Sequence, residues 1–162
     1  MKRRTWVIGL FVVAVVGWYL FRPELLFVNT RVNESLSATT AESGAAATAA
    51  LLSGRFHSVA HETQGTATVH RLADGTRVLR LTEFATSNGP DVRVYLVAAP
   101  DAADNETVVK AGFVELGKLK GNEGDQNYDV PAGLDLHQYR AVTIWCRRFS
   151  VNFATAPLTP SS

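Results

Sequence analysis

The chain has 162 residues, of which 46% are hydrophobic and 19% charged, with a formal net charge of +1; this describes one globular domain with appendages. A charge so near balance leaves no basic stripe to neutralise phosphates, which argues against nucleic acid as a partner. One cysteine and scattered histidines build no zinc pattern, and because the only methionine is Met1 the folded domain has neither a Cys, His and Met copper set nor a Met-ligated haem.

The start, MKRRTWVIGLFVVAVVGWYLFRPE, places Lys2, Arg3 and Arg4 before an apolar run from Trp6 to Phe21. Residues 5–21 as a helix span roughly 25 Å, which snorkelling by Arg4 and Arg22 extends toward a thin hydrocarbon core. A cleavable signal peptide shares this pattern. The run ends, however, in Trp18, Tyr19, Leu20 and Phe21, where cleavage needs small residues and where aromatics suit a membrane interface. The reading is a retained single-pass anchor over 5–22 with residues 1–4 as a cytoplasmic basic tail, since Lys2, Arg3 and Arg4 outweigh Arg22, which Glu24 offsets. The C-terminal domain is then extracytoplasmic.

Residues 23–53 are rich in Ala, Ser and Thr and read as an extracytoplasmic linker, with Asn29 to Ser53 as a tether and a short helix at Gly44 to Leu52. From Gly54 the pattern turns to short β segments. GTATVHRL and TRVLRLTEF are joined by Asp74-Gly75, a hairpin signal. DVRVYLVA alternates, with Val92, Val94, Leu96 and Ala98 on one face and Arg93, Tyr95 and Val97 on the other. GFVELGKL, a polar loop KGNEGDQNYDVPAG, AVTIWCRRF and SVNFATA follow. Six to eight such strands predict an all-β, antiparallel β-sandwich over about residues 54–158, followed by a tail at 159–162.

In AVTIWCRRF a period of two groups Val142, Ile144, Cys146 and Arg148, with Thr143, Trp145, Arg147 and Phe149 opposite. Cys146 after two β-branched residues fills a core position as a small hydrophobe. Outside the cytoplasm, though, a lone cysteine is shielded, shared between chains or chemically employed. An adjacent guanidinium favours thiolate, and alternation leaves Arg148 as the one able to serve.

Other chemistry is sparse. His57 and His61 lie four apart, about 13 Å along a strand, which does not suit a metal pair. Two polar stretches are more distinctive. Asn88-Gly89-Pro90-Asp91 forms a turn in which Pro90 pushes Gly89 toward extended geometry and Gly89 can take angles closed to other residues. Asn122, Glu123, Asp125, Asn127 and Asp129 crowd a second segment, where Asx-type turn chemistry explains them better than calcium does.

The succession SGRFHSVAHETQGTATVHRL, LRLTEFATSNGPDVRVYLV, ELGKLKGNEGDQNYDVP and AVTIWCRRFSVNFATAPL resembles the electron-transfer DM-thirteen domain family over about Leu52 to Leu158. Three motifs carry it in order: Asn88, Gly89, Pro90 and Asp91; Gly124 with Asp125, Gln126, Asn127 and Tyr128; and the strand of Trp145 and Cys146 leading into Phe149, Ser150, Val151 and Phe153. The resemblance implies a β-sandwich related to cytochrome-like domains. It further implies that Cys146 acts in redox chemistry, as a bare thiol or by binding a prosthetic group such as haem. The electron partner would be another molecule, since this chain has no companion DOMON domain.

Two functions follow as expectations. One is a membrane-anchored electron-transfer or thiol-redox domain centred on Cys146, held to the membrane by its own helix and working with a protein redox partner. The other is a non-catalytic envelope binding or scaffolding module with a structural Cys146 and a partner surface at Asn88 to Asp91 and Asn122 to Tyr128.

Overall fold

A computed structural model describes residues 2–21, 28–36 and 49–161, with the side chains of the first helix described over 6–19. The apolar run forms helix α1, Lys2–Phe21. No charge interrupts Trp6 to Tyr19, and Trp6, Leu10, Phe11, Val13 and Trp18 are all strongly exposed. Among the described residues no helix is long and apolar enough to cross a membrane. The segment expected to anchor the chain is therefore helical, but the described part falls short of a span.

The domain consists of two sheets. The larger contains β1 (Arg31–Asn33), β2 (Ala49–Arg55), β4 (Gln64–Arg71), β5 (Arg77–Ala85), β8 (Glu123–Val130) and β11 (Thr159–Pro160), in the order β1-β8-β5-β4-β2-β11. The smaller contains β3 (His57–Ser58), β6 (Val92–Val97), β7 (Phe113–Lys118), β9 (Ala141–Cys146) and β10 (Val151–Pro157), in the order β3-β10-β9-β6-β7. Among the described residues every pairing is antiparallel except β1 with β8. The expected sandwich is thus present, with one parallel edge.

Local chemistry explains the elements. At the β4–β5 turn Gly75 takes φ +84, and the Asp74 carboxylate accepts from the Thr76 amide at 2.9 Å and its hydroxyl at 2.6 Å. This is the Asp-Gly hairpin signal realised. Along β6, Val92, Val94 and Leu96 enter the core between the sheets, while Tyr95 and Val97 face the other way. That second face is covered by helix α2 (Asn105–Ala111), whose first turn is capped by Asp104 accepting from the Thr107 amide at 2.6 Å. Val108 of α2 is fully buried with Tyr95, Val97, Ala102, Ala141 and Trp145. Asp104 followed by a short polar-to-apolar run was the available signal for this helix, which an all-β reading passes over.

Three expectations need correction. The segment read as a tether supplies β1 and β2; the helix expected at Gly44 to Leu52 lies partly outside the described residues, and Ala49 to Leu52 are strand, because Leu51 and Leu52 pack against the core. The polar loop after β7 is mostly strand β8, with Gln126, Tyr128 and Val130 buried and Asp125, Asn127 and Asp129 pointing outward. Its alternation is hidden in sequence because one inward residue is an amide. Arg148 does not continue the Cys146 face: β9 ends at Cys146, and Arg147 to Ser150 form an exposed turn.

Candidate functional site

Cys146 is fully buried at the last position of β9, paired with Val92 of β6 and Val151 of β10. It belongs to the core between the sheets, with Ile144, Val142, Phe153 and Leu81 in the same cluster. The exposed turn keeps the Arg148 guanidinium off the path that sequence alternation suggested. Arg147 is committed elsewhere: its Nε donates to Asp91 at 2.8 Å, and its amide donates to the Asp91 carbonyl at 2.9 Å.

A haem on Cys146 would need a cavity beside the sulfur. Clefts among the described residues are lined by other residues: at the β4–β5–β8 end by Arg55, Gly65 and Glu83, at the opposite end by Arg71, Leu134 and Arg140, and beside Asn88 by Lys118 and Asn122. The residues around Cys146 do not fit a haem.

Trp145, on the opposite face of β9, is buried and lies 6.3 Å from Tyr95, which in turn stacks on Phe113 at 4.3 Å. Cys146 and Trp145 therefore lie back to back in different cores. Sequence alternation had separated them in this way.

The Asn88–Asp91 turn links elements. Asp91 receives Nε of Arg93 at 2.6 Å as well as Arg147, and Arg93 extends the network to Glu115 at 2.6 Å. Partial burial pushes the Asp91 carboxyl up, but the hydrogen bonds from Arg93 and Arg147 outweigh it and hold the carboxyl below its usual range. Pro90 is exposed. At Gly89 the backbone is not left-handed; an added Cβ would instead lie 2.7 Å from Val92 Cγ2 and 3.1 Å from Phe153 Cζ. The requirement for glycine there is steric rather than conformational.

The second motif organises the turn between β7 and β8. Gln126 is fully buried; its Oε1 accepts from the Lys120 amide at 3.1 Å and the Tyr128 hydroxyl at 2.8 Å, and its Nε2 donates to the Gly121 carbonyl at 2.7 Å. Burial pushes the Tyr128 phenol well up. Asp125 pairs with Arg80 at 2.6 Å.

What sequence reasoning missed is that the remaining polar groups of both motifs face residues 28–36. Asn88 donates to the Val28 carbonyl at 3.1 Å. Asn122, 5% exposed, accepts from the Thr30 amide at 2.7 Å and donates to Asn29 at 3.0 Å. Lys120 grips both oxygens of Glu34 at 2.7 and 2.8 Å, and the Asn127 amide donates to the same carboxylate at 2.8 Å. No periodicity in a stretch of Asn, Thr and Ser announces such docking.

A family model described as Electron transfer DM13 matches residues 55–158, more than half of the chain. No curated protein and no solved structure matches the chain.

Two outcomes test this geometry. Gly89→Val should lower stability by about 1–3 kcal/mol through overpacking against Val92 and Phe153, read as a lower denaturation midpoint; an unchanged midpoint would count against the close approach. A carboxyl lowered in the folded state adds stability above its unfolded pKa of about 3.9 and loses it as pH falls through the lower folded value. Asp91→Asn should therefore cost about 1–2 kcal/mol at neutral pH, and denaturant titrations should find the gap from the parent closing as pH drops below about 4.

Proposed function

Because the chain belongs to the electron-transfer DM13 family, we propose that it is a membrane-tethered, extracytoplasmic module of an electron-transfer system that acts by engaging a redox protein, with Cys146 as a structural thiol. One observation carries this reading: Cys146 has no exposed surface and lies within the inter-sheet core. A thiol reacts as thiolate and must meet its partner, and apolar burial opposes both. The electron would then travel through the partner's own centre, and this domain would supply recognition.

Tethering is supported by α1, which presents Trp6, Phe11, Val13 and Trp18 on different sides with no described residue packed against them. A helix apolar all round is stable where its whole surface meets a non-aqueous phase. The aromatic end at Trp18 and Tyr19 suits the interface, and Lys2, Arg3 and Arg4 favour a cytoplasmic N-terminus.

A second reading gives Cys146 itself the redox role. It is favoured by the position of the thiol at the end of β9, directly before the exposed Arg147 to Ser150 turn.

Thiol labelling separates the two readings. In the first, native protein resists a maleimide probe and reacts only in denaturant, and Cys146→Ala costs about 1–2 kcal/mol while electron transfer in the native membrane is unaffected. Rapid native labelling, with loss of electron transfer in Cys146→Ala, would establish the second. For the tether, the protein should stay with membranes after carbonate washing; release into the supernatant would refute it.

A further inference from the structure

Residues 28–36 lie outside the segment that matches the family, yet they form the parallel edge strand of the larger sheet. Arg31 pairs with Glu123, Val32 with Gly124 and Asn33 with Asp125. None of these residues belongs to either buried core; Val32 and Leu36 are only half-buried. The sandwich is therefore closed without them, and what holds them is polar. The Glu34 amide donates to the Asp125 carbonyl at 2.9 Å, Arg80 donates to the Glu34 carbonyl at 2.8 Å, and Asn127 Nδ2 donates to the Ser35 carbonyl at 2.8 Å. These bonds add to those of Asn88, Asn122 and Lys120.

A second observation is independent of these bonds. An added Cβ on Gly121 would stand 2.4 Å from the Thr30 carbonyl oxygen and 2.8 Å from Val32 Cγ2. One on Gly124, which takes φ +94, would stand 2.0 Å from the Val32 carbonyl oxygen and 2.9 Å from Asn33 Oδ1. The atoms that crowd both glycines all belong to residues 28–36. The surface of β8 and the turn before it is shaped for a backbone lying against it.

We propose that the β8 edge is a strand-acceptor site for an extended peptide bearing a carboxylate, and that residues 28–36 are its ligand within the same chain. Main-chain pairing supplies affinity in such sites and pockets for alternate side chains supply selectivity. Here Lys120 and the Asn127 amide select the carboxylate of Glu34, and Asn122 reads the backbone at Thr30. While residues 28–36 occupy the edge it is closed to other strands, which also protects an otherwise open sheet edge.

The test uses the full-length chain, two variants and a fluorescent synthetic peptide of residues 28–36. Gly121→Val adds bulk only where the segment lies. It should raise amide exchange at Thr30 and Glu34 at least ten-fold, keep the domain folded by circular dichroism, and take up no peptide. Glu34→Ala weakens the internal ligand and leaves the site intact, so it should also raise exchange and should bind the added peptide at least ten-fold more tightly than the parent does. Should Gly121→Val fail to fold, the Glu34→Ala chain decides alone. Unchanged exchange at residues 28–36 in that variant overturns the proposal, as does a freed segment with no peptide uptake. Equal peptide binding by the parent and Glu34→Ala would overturn occupancy by the chain's own segment.

Discussion

The architecture depends on water being excluded from both faces of β9. All six of its residues are buried, Val142, Ile144 and Cys146 toward the larger sheet and Ala141, Thr143 and Trp145 toward the outside. A sandwich strand ordinarily needs only one dry face. Here the outer face is dry because α2 and the chain before it lie across it, with the Asn152 side-chain amide donating to the Ala102 carbonyl at 2.6 Å and its backbone amide donating to Asn105 Oδ1 at 2.7 Å. With β6 and β10 on either side, β9 becomes the most protected element of the domain. Its cysteine inherits that protection whatever its chemistry.

Against that apolar centre, the polar organisation of the other sheet stands out. Gln126 is as buried as any core leucine, but each end of its amide is engaged, so its burial costs little relative to an unpaired group. Through it the β7–β8 turn is held in one shape, and that shape sets Lys120, Gly121 and Asn122 against residues 28–36. The family motif that contains Gln126 thus acts first on its own backbone. What it then offers to other segments is a consequence of that order.

The strands that were legible in the sequence had simple alternation. Val92 to Val97 declared both faces, and Asp74-Gly75 declared its turn, because each signal is local. The placement of Cys146 in a core followed from Val142 and Ile144. Strand β8 was hidden because Gln126 supplies an inward position with hydrogen bonds rather than hydrocarbon. The Arg148 assignment failed because alternation was carried past the end of a strand, a boundary that depends on pairing with β6 and β10. Residues 28–36 were hidden for a different reason: their contacts are to residues about ninety positions away, as Thr30 to Asn122 and Glu34 to Asn127 are, and they contain too little apolar surface to reveal a preferred face.

For the membrane tether proposed above, the docked strand would change the mechanics of attachment. A chain that stayed free from the end of α1 to the start of β2 could separate the two by about 100 Å when fully extended. With residues 28–36 bound, only the links from Phe21 to Val28 remain, and they reach no more than about 25 Å. The β8 edge would then work close to the bilayer surface rather than at the end of a long leash. Partners would be confined to those whose own surfaces lie at that height, and every encounter would take place within a thin layer, where two tethered proteins meet far more often than they would in bulk.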